Sequence, residues 1–459
     1  MRFLRTLSAY AVSLLVALSL TLTSTAAQAQ SLSPIRDAET EELLLDMLNP
    51  LVEASELEPG NVEIVLINNN SINAFVAGGQ VIYIHTGLIN AAETANEVQG
   101  VLAHELGHIT AGHVIRFEER TAGMQAPLLL SLLGAVGAAL AGAPPEAAFG
   151  ALGLGLQAGV NNFLSFNRNQ EASTDLAGAR YLSGAGISGR GMIKFFERLR
   201  SFEIRRGYSQ ADEAAYGRTH PLSGDRIVTL RELLQSDPAW SKPDDGELQA
   251  RFERVRAKLY GYIAEPQRTF SLYPATDTSL SATYARAYAY HKDAQIEKAL
   301  AESDSLLARD PDNPYYLELK GQVLLESGRP VDALVPLRRA TLITRNHPLI
   351  ASMFGHALIA TEDEANFEEA EQVLRAAVGR DRLNPFAWYQ LGVVYAAQGD
   401  IARARLASAE QQVMSRSYPS ALRNAQAAEA GLERGTPDWI RAQDIALQAR
   451  AELERLRDR

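Results

Sequence analysis

The sequence predicts an α+β, mostly helical domain followed by an all-α solenoid of helix pairs, and three observations point there. Two short runs rich in β-branched and aromatic residues, 62–67 and 81–84, are bounded by Asn and Gly clusters and read as strands. From about Asn90 to Gln235, and again beyond Pro243, the pattern is mostly helical. Finally, Pro314, Pro348, Pro385 and Pro419 recur at intervals of 34, 37 and 34 residues, with Ala299, Ala333, Ala370 and Ala404 in step. Such a period marks stacked helix pairs.

The N-terminus comes first in the chain and bears on the compartment. Arg2 and Arg5 precede an apolar run over 9–22, and Ala27-Gln28-Ala29 supplies a small-x-small cleavage pattern. The run is short against the roughly 20 residues of a membrane span, so a cleaved signal over 1–29 fits better than an uncleaved anchor. The chain has no cysteine, which excludes a disulfide framework and a lipid-modified cysteine. An exported protein of a bacterial periplasm is the reading. A net charge of −11 over 459 residues leaves no basic footprint and argues against nucleic acid as a partner. That length is enough for two or three domains.

After the signal, an amphipathic helix over 41–57 places Leu43, Leu44, Met47 and Leu51 on one face and ends at Pro59-Gly60. Pro50 is expected to kink or break it. The two strands follow, and then a helix from about Ala95 to Phe117 carries His104-Glu105-Leu106-Gly107-His108. Residues four apart on a helix share a face, so His104 and His108 aim two imidazoles at one point. Zinc accepts neutral imidazole in a site that keeps a position open for water. Glu105 is placed to exchange a proton with that water, which is the arrangement peptide hydrolysis needs. The bare pattern is short, however, and two unrelated histidines on a core helix would give it too.

A third ligand has to come from another helix, and Glu171 is the best candidate. Asp175 lies one turn later on the same face, where it can accept the second N–H of a ligating histidine. On their own the two acids read equally well as a charge pair at a helix N-terminus. His220, in Thr219-His220-Pro221, would by default be a surface-loop residue. Between these helices, 126–160 is dense in Ala, Gly and Leu with Glu146 as its one charge. A pair of membrane helices, a plug over the cleft and a buried or membrane-apposed hairpin all suit that composition. The short halves favour the hairpin.

Taken together, Asn73-Ala74-Phe75, Gly78-Gly79, Thr86-Gly87-Leu88, the segment from Val101 to His108, His113 and Glu171-x-x-x-Asp175 resemble the core of peptidase family M48. The resemblance covers roughly 35–235 and implies a zincin-like metalloprotease domain, here bounded as 30–265, with one zinc ion per chain. It implies that His104, His108 and Glu171 ligate zinc, with Asp175 supporting a ligand. It also implies that Asn73, Ala74 and Phe75 belong to an edge strand on which an extended substrate adds. His113 is assigned a structural or ligand-supporting role, since its spacing from His108 takes it off the ligand face. The chain is similar to the periplasmic members of that family that carry tetratricopeptide repeats. That likeness implies His220 as a conditional fourth ligand holding the enzyme latent, and Arg226 as a catalytic residue of the cleft.

Residues 266–281 read as a linker and 282–459 as a tetratricopeptide domain of four to five helix pairs. Tyr389, Leu391, Gly392 and Tyr395 fill the first-helix signature of one repeat, and a loop near 361–366 absorbs the three extra residues of the 37-residue interval. The expected function is a periplasmic zinc endopeptidase acting on unfolded or misassembled outer-membrane and envelope proteins. The repeats would engage substrates or the outer-membrane assembly machinery, and 126–160 would offer a peripheral membrane contact. The competing reading is a chaperone-like assembly factor with a mainly structural zinc.

Overall fold

The computed structural model describes residues 33–113, 169–206, 220 and 223–457, so the expected signal at 1–29 and the Ala/Gly/Leu-rich insert at 126–160 lie outside the described residues. Residues 35–459 form one compact unit. Helix α1, Ala38–Ala54, starts where Asp37 accepts the Thr40 amide at 2.8 Å, with Glu39 and Glu41 favourably placed against the helix dipole. Its apolar face, Leu43, Leu44, Met47, Leu48 and Leu51, is buried. The break expected at Pro50 does not occur, and helical structure runs through it to Ala54. Leu48, Leu51 and Val52 are all buried around the proline and anchor both flanks.

Three strands follow, β1 (Glu63–Ile67), β2 (Ala74–Ala77) and β3 (Val81–His85). In the sheet β3 lies between the other two, parallel to β1 and antiparallel to β2. Strand β2 ends the sheet order, so among the described residues one of its backbone edges has no neighbouring strand. Gly78 and Gly79 make the β2–β3 turn at φ +63° and +104°, a region that residues with a Cβ enter at a cost.

Helix α2 (Thr86–Ala91) leads to α3 (Ala95–Thr110), which opens where Thr94 accepts the Glu97 amide. Helix α3 is shorter than expected: Gly112 turns left-handed at φ +63° and ends it before Phe117 is reached. Around it lie α4, described over 169–184, then α5 (Arg190–Arg206), α6 (Gly224–Gln235) and α7 (Gly246–Ile263). Val98, Val101, Leu102 and Leu106 of α3 share one apolar core with the α1 face, Ile82 and Ile84 of β3, and Phe195 and Phe196 of α5.

The stretch 266–281, expected as a linker, contains α8 (Pro266–Leu272), whose Phe270 ring packs 4.6 Å from that of Tyr290. Helices α9 (Leu280–Lys292) and α10 (Ile296–Arg309) open the repeats. They continue as α11 (Pro314–Glu326), α12 (Pro330–Ile343), α13 (Pro348–Ala360) and α14 (Phe367–Arg380). The last four are α15 (Pro385–Ala397), α16 (Ile401–Met414), α17 (Tyr418–Gly431) and α18 (Pro437–Arg457). The periodic prolines Pro314, Pro348 and Pro385 each occupy a first helical position, where a missing N–H costs nothing. The periodic alanines are buried in the second helix of each pair, and the extra residues of the long interval form a 3-10 turn at Glu364–Asn366. This is the all-α solenoid that the period predicted.

The start of α1 is tied to the solenoid. Ala38 shares an apolar cluster with Leu317, Ala340 and Ile350. Next to it Glu39, 2% exposed, accepts from Arg254 at 2.7 Å and from the Tyr284 hydroxyl at 2.9 Å. The Lys258 ammonium lies 2.6 Å from Asp37 and 3.4 Å from Glu39. Among the described residues no helix is long and apolar enough to cross a membrane.

Candidate metal centre

Helix α3 supplies His104 and His108 one turn apart on a single face, and both are buried. Glu171 reaches the same point because α4 passes unusually close to α3. A Cβ on Gly107 would stand 2.9 Å from the Thr174 carbonyl oxygen, and one on Gly178 would stand 3.0 Å from that of Ala103. Any larger residue at either position pushes the helices apart and withdraws the carboxylate. His220, three residues before the Ser223 cap of α6, comes in from a third direction and is 6% exposed.

The ligand atoms converge. His104 Nε2 is 3.2 Å from His108 Nε2, 3.3 Å from His220 Nδ1 and 3.4 Å from Glu171 Oε2. Glu171 Oε1 is 3.5 Å from His108 Nε2 and 3.2 Å from His220 Nδ1. One atom from each of the four residues falls within a sphere where all are within 4.8 Å of one another. Four ligands at about 2.0–2.2 Å from a tetrahedral ion are about 3.3–3.6 Å apart, so the spacing suits a divalent cation.

Proton positions argue the same way. With a cation bound, His104 would donate through Nδ1 to Asp175 Oδ1, 3.0 Å away, and turn its Nε2 lone pair to the centre. Glu105 is fully buried, and among the described residues neither of its carboxylate oxygens has a hydrogen-bond partner. His220 Nε2, at 3.6 Å, is its ion-pair neighbour.

The surrounding groups hold this set in place. Arg226 grips Asp175 through Nε and Nη2 at 2.8 and 2.9 Å, and Nη2 also lies 3.1 Å from Glu171 Oε2. Arg226, expected in the cleft as a catalytic residue, rests on these two carboxylates. His113 Nδ1 lies 3.0 Å from His108 Nδ1 and 3.2 Å from the Thr174 hydroxyl. The left-handed turn at Gly112 brings it back, which a helix continued to Phe117 would not do. The Phe196 ring meets His104 edge-on at 5.6 Å. Phe196, Gly107 and Gly178 were not singled out from the sequence. The only signal was small residues in otherwise good helices, which names no partner.

Burial and charge set the protonation tendencies. Burial pulls His104 down, but Asp175 and Glu171 outweigh it and raise the imidazole to about 9. Burial, then His104 and His220, press His108 well below its ordinary value. Burial favours a protonated Glu171, yet His220 and His104 hold it far below the usual carboxylate range. Burial raises Glu105 above its ordinary value.

On the sheet side, Phe75 of β2 stacks on Tyr83 at 5.1 Å between ring centroids, while Ala74 is buried. The Asn73 carbonyl accepts the His85 amide at 3.0 Å, which fixes the entry to the edge strand. Strand β2 packs against α3.

Comparison with known proteins agrees with the reading of the first domain. Residues 34–234 match Peptidase family M48. A Vibrio cholerae relative is 28% identical over 266 residues, covering 55% of this chain and 52% of the relative, so this chain spans about half of that protein's length. The beta-barrel assembly-enhancing protease of Yersinia pestis is 24% identical over 409 residues, covering 85% of this chain and 79% of that protein. Among solved structures, the tetratricopeptide protein YrrB is 22% identical, covers 39% of this chain and 94% of its own, and superposes with a TM-score of 0.32.

Proposed function

Since this chain carries a peptidase family M48 domain over residues 34–234, we propose that it is a zinc-dependent endopeptidase of the bacterial envelope. The observation that carries the proposal is the convergence of His104, His108, Glu171 and His220 on one point, their ligand atoms within 4.8 Å of one another, beside a buried Glu105. A His/His/Glu set suits zinc. When bound, the ion supplies Lewis-acid polarisation of a peptide carbonyl and acidifies a water.

The chain's own residues do the rest. Glu105 takes the water's proton and returns it to the departing amine. Asp175 fixes the His104 tautomer, and Arg226 acts as a positioning residue by locking Asp175 and Glu171. The free edge of β2, with Asn73, Ala74 and Phe75, offers backbone groups to an extended substrate. His220 fills the position a substrate would need, so the resting enzyme is latent until that side chain moves. The repeats recognise substrates or the outer-membrane assembly machinery, and the substrates are unfolded or misassembled envelope proteins in the periplasm.

A second reading draws on one observation. With His220 in place the centre has four protein ligands, as structural zinc sites do, which favours a chaperone-like assembly factor. Zinc content and cleavage of an unfolded protein separate the two readings. Glu105→Gln is expected to keep its metal and lose about 10²–10⁴-fold in rate, and His220→Ala to cleave faster than wild type. Metal bound by all three proteins with cleavage by none would give the assembly-factor reading the lead.

A further inference from the structure

Strand β2 carries two different faces to its free edge. Side chains alternate along a strand, so Ala74 and Phe75 point to opposite sides of the sheet. Ala74 belongs to the apolar core with Ile82, Ile84 and the residues of α3, which puts α3 on that side. Phe75 therefore lies on the other side, in register with Tyr83 of β3, and Tyr83 is in register with Val65 of β1. All three side chains of this row are half-buried.

The rings in the row are held in a fixed orientation. Phe75 stacks on Tyr83 with the planes 13° apart and the centroids at 5.1 Å. The His85 ring meets Phe75 edge-on at 5.9 Å, and its Nδ1 is held in turn by the Ser71 hydroxyl at 2.7 Å. Tyr83 and His85 both belong to β3, so among the described residues these contacts fall on one side of Phe75. Tyr83 covers one face of the Phe75 ring, and the opposite face is turned toward the edge that no described strand covers. A cross-strand aromatic pair stabilises a sheet, and that role ends at Phe75. A strand added at the edge extends the row. Its residue directly opposite Phe75 brings a Cβ to the same face, about 4.5–5.5 Å from that of Phe75.

We propose that Phe75 is a specificity-determining residue whose ring, backed by Tyr83 and His85, selects an aromatic side chain at the substrate position directly opposite it. The proposal rests on the reading of β2 as the substrate-binding edge. The substrate residues on either side of that position point to the α3 side of the sheet, so the preference is confined to one position. Offset-stacked rings favour an aromatic group over an aliphatic one by about three- to tenfold. Labelled decapeptides of Ser, Thr and Ala test this, each with one Phe or one Leu at successive positions. Fluorescence anisotropy measures their binding to the intact zinc-loaded chain and to its His220→Ala variant, and mass spectrometry locates any cut.

Phe is expected to bind about three- to tenfold more tightly than Leu at a single position, which keeps a constant distance from the cut. Phe75→Tyr retains that ratio, and Phe75→Val brings it to about one. Tyr83→Val removes the backing ring one strand away from the peptide and lowers the ratio about twofold, a second test should Phe75→Val not fold. Equal binding of Phe and Leu peptides at every position, or binding of neither, overturns the proposal. A ratio unchanged in Phe75→Val overturns it too, because the ring then only stabilises the sheet. Selective binding without any cut supports the subsite and sinks the peptidase reading, and a cut without selectivity does the reverse.

Discussion

Both the metal centre and the foot of α1 bury several ionisable side chains, but the partners differ in sign. At α1, Glu39 and Asp37 meet Arg254, Lys258 and the Tyr284 hydroxyl, so each buried charge has an opposite charge or a donor against it. At the metal centre, imidazole nitrogens and the Glu171 carboxylate turn toward one another, and Glu105 has no hydrogen bond among the described residues. The first cluster sets a cation or a donor against Asp37 and Glu39, whereas the second gathers four potential ligand atoms about one point. Buried polarity by itself therefore does not mark a functional site. What marks it is a set of like groups aimed at one point.

The largest expected effect comes from breaking the completed cluster. Lys258→Met leaves Asp37 and Glu39 short of their cation and is expected to cost about 3–5 kcal/mol in denaturant unfolding. A loss under about 1 kcal/mol would mean that Arg254 and Tyr284 suffice. Metal removal tests the other cluster: chelation is expected to cost about 3–4 kcal/mol, restored by adding zinc, as tight ligand linkage requires. Unchanged thermal unfolding after verified metal loss would remove the contrast between the two regions.

Arg226→Met should weaken metal affinity about 10–100-fold while the circular dichroism spectrum stays native. Affinity equal to wild type would reduce Arg226 to a bystander. The smallest effect sharpens the α1 cluster. Burial pushes the Glu318 carboxyl up to about 8, against the pull of Lys258 and with Asp37, Glu39 and Glu41 adding to the rise. A carboxyl raised in the folded state keeps its proton while the unfolded chain, near 4.5, loses its own. Glu318 therefore erodes stability as pH climbs from about 4.5 to about 8. Relative to wild type, Glu318→Gln should gain about 1–2 kcal/mol at alkaline pH and nothing near pH 4. An equal change at both pH values would place the effect in packing.

What the sequence made legible were relations over short distances or at fixed periods. His104, Glu105 and His108 share one helix, and the prolines and alanines of the repeats keep their own count, so spacing alone located them. Glu171 and Asp175 needed the family resemblance, because nothing in a lone helix says which other helix it will meet. His113 was given a structural or ligand-supporting role off the ligand face; the left-handed residue at Gly112 sets its ring 3.0 Å from His108 Nδ1, outside the ligand group, a contact that a regular helix would not predict. The α1 cluster was out of reach altogether: Glu39 and Lys258 are 219 positions apart, and no local pattern pairs them. Pro50 stayed inside its helix because buried neighbours on both sides outweighed local propensity.

The tie between Glu39 and the solenoid also sets an order in time. Synthesis delivers the chain from its N-terminus, so Glu39 arrives long before Lys258, and Tyr284 follows 245 residues behind it. Until then the first turn of α1 holds an acidic pair with no counter-charge, and the half of the molecule that bears Glu105 cannot close its last polar seam. The metal-site half thus waits for the repeat half, and a chain halted before its repeats is left with a loose hinge where the finished protein has a clamp.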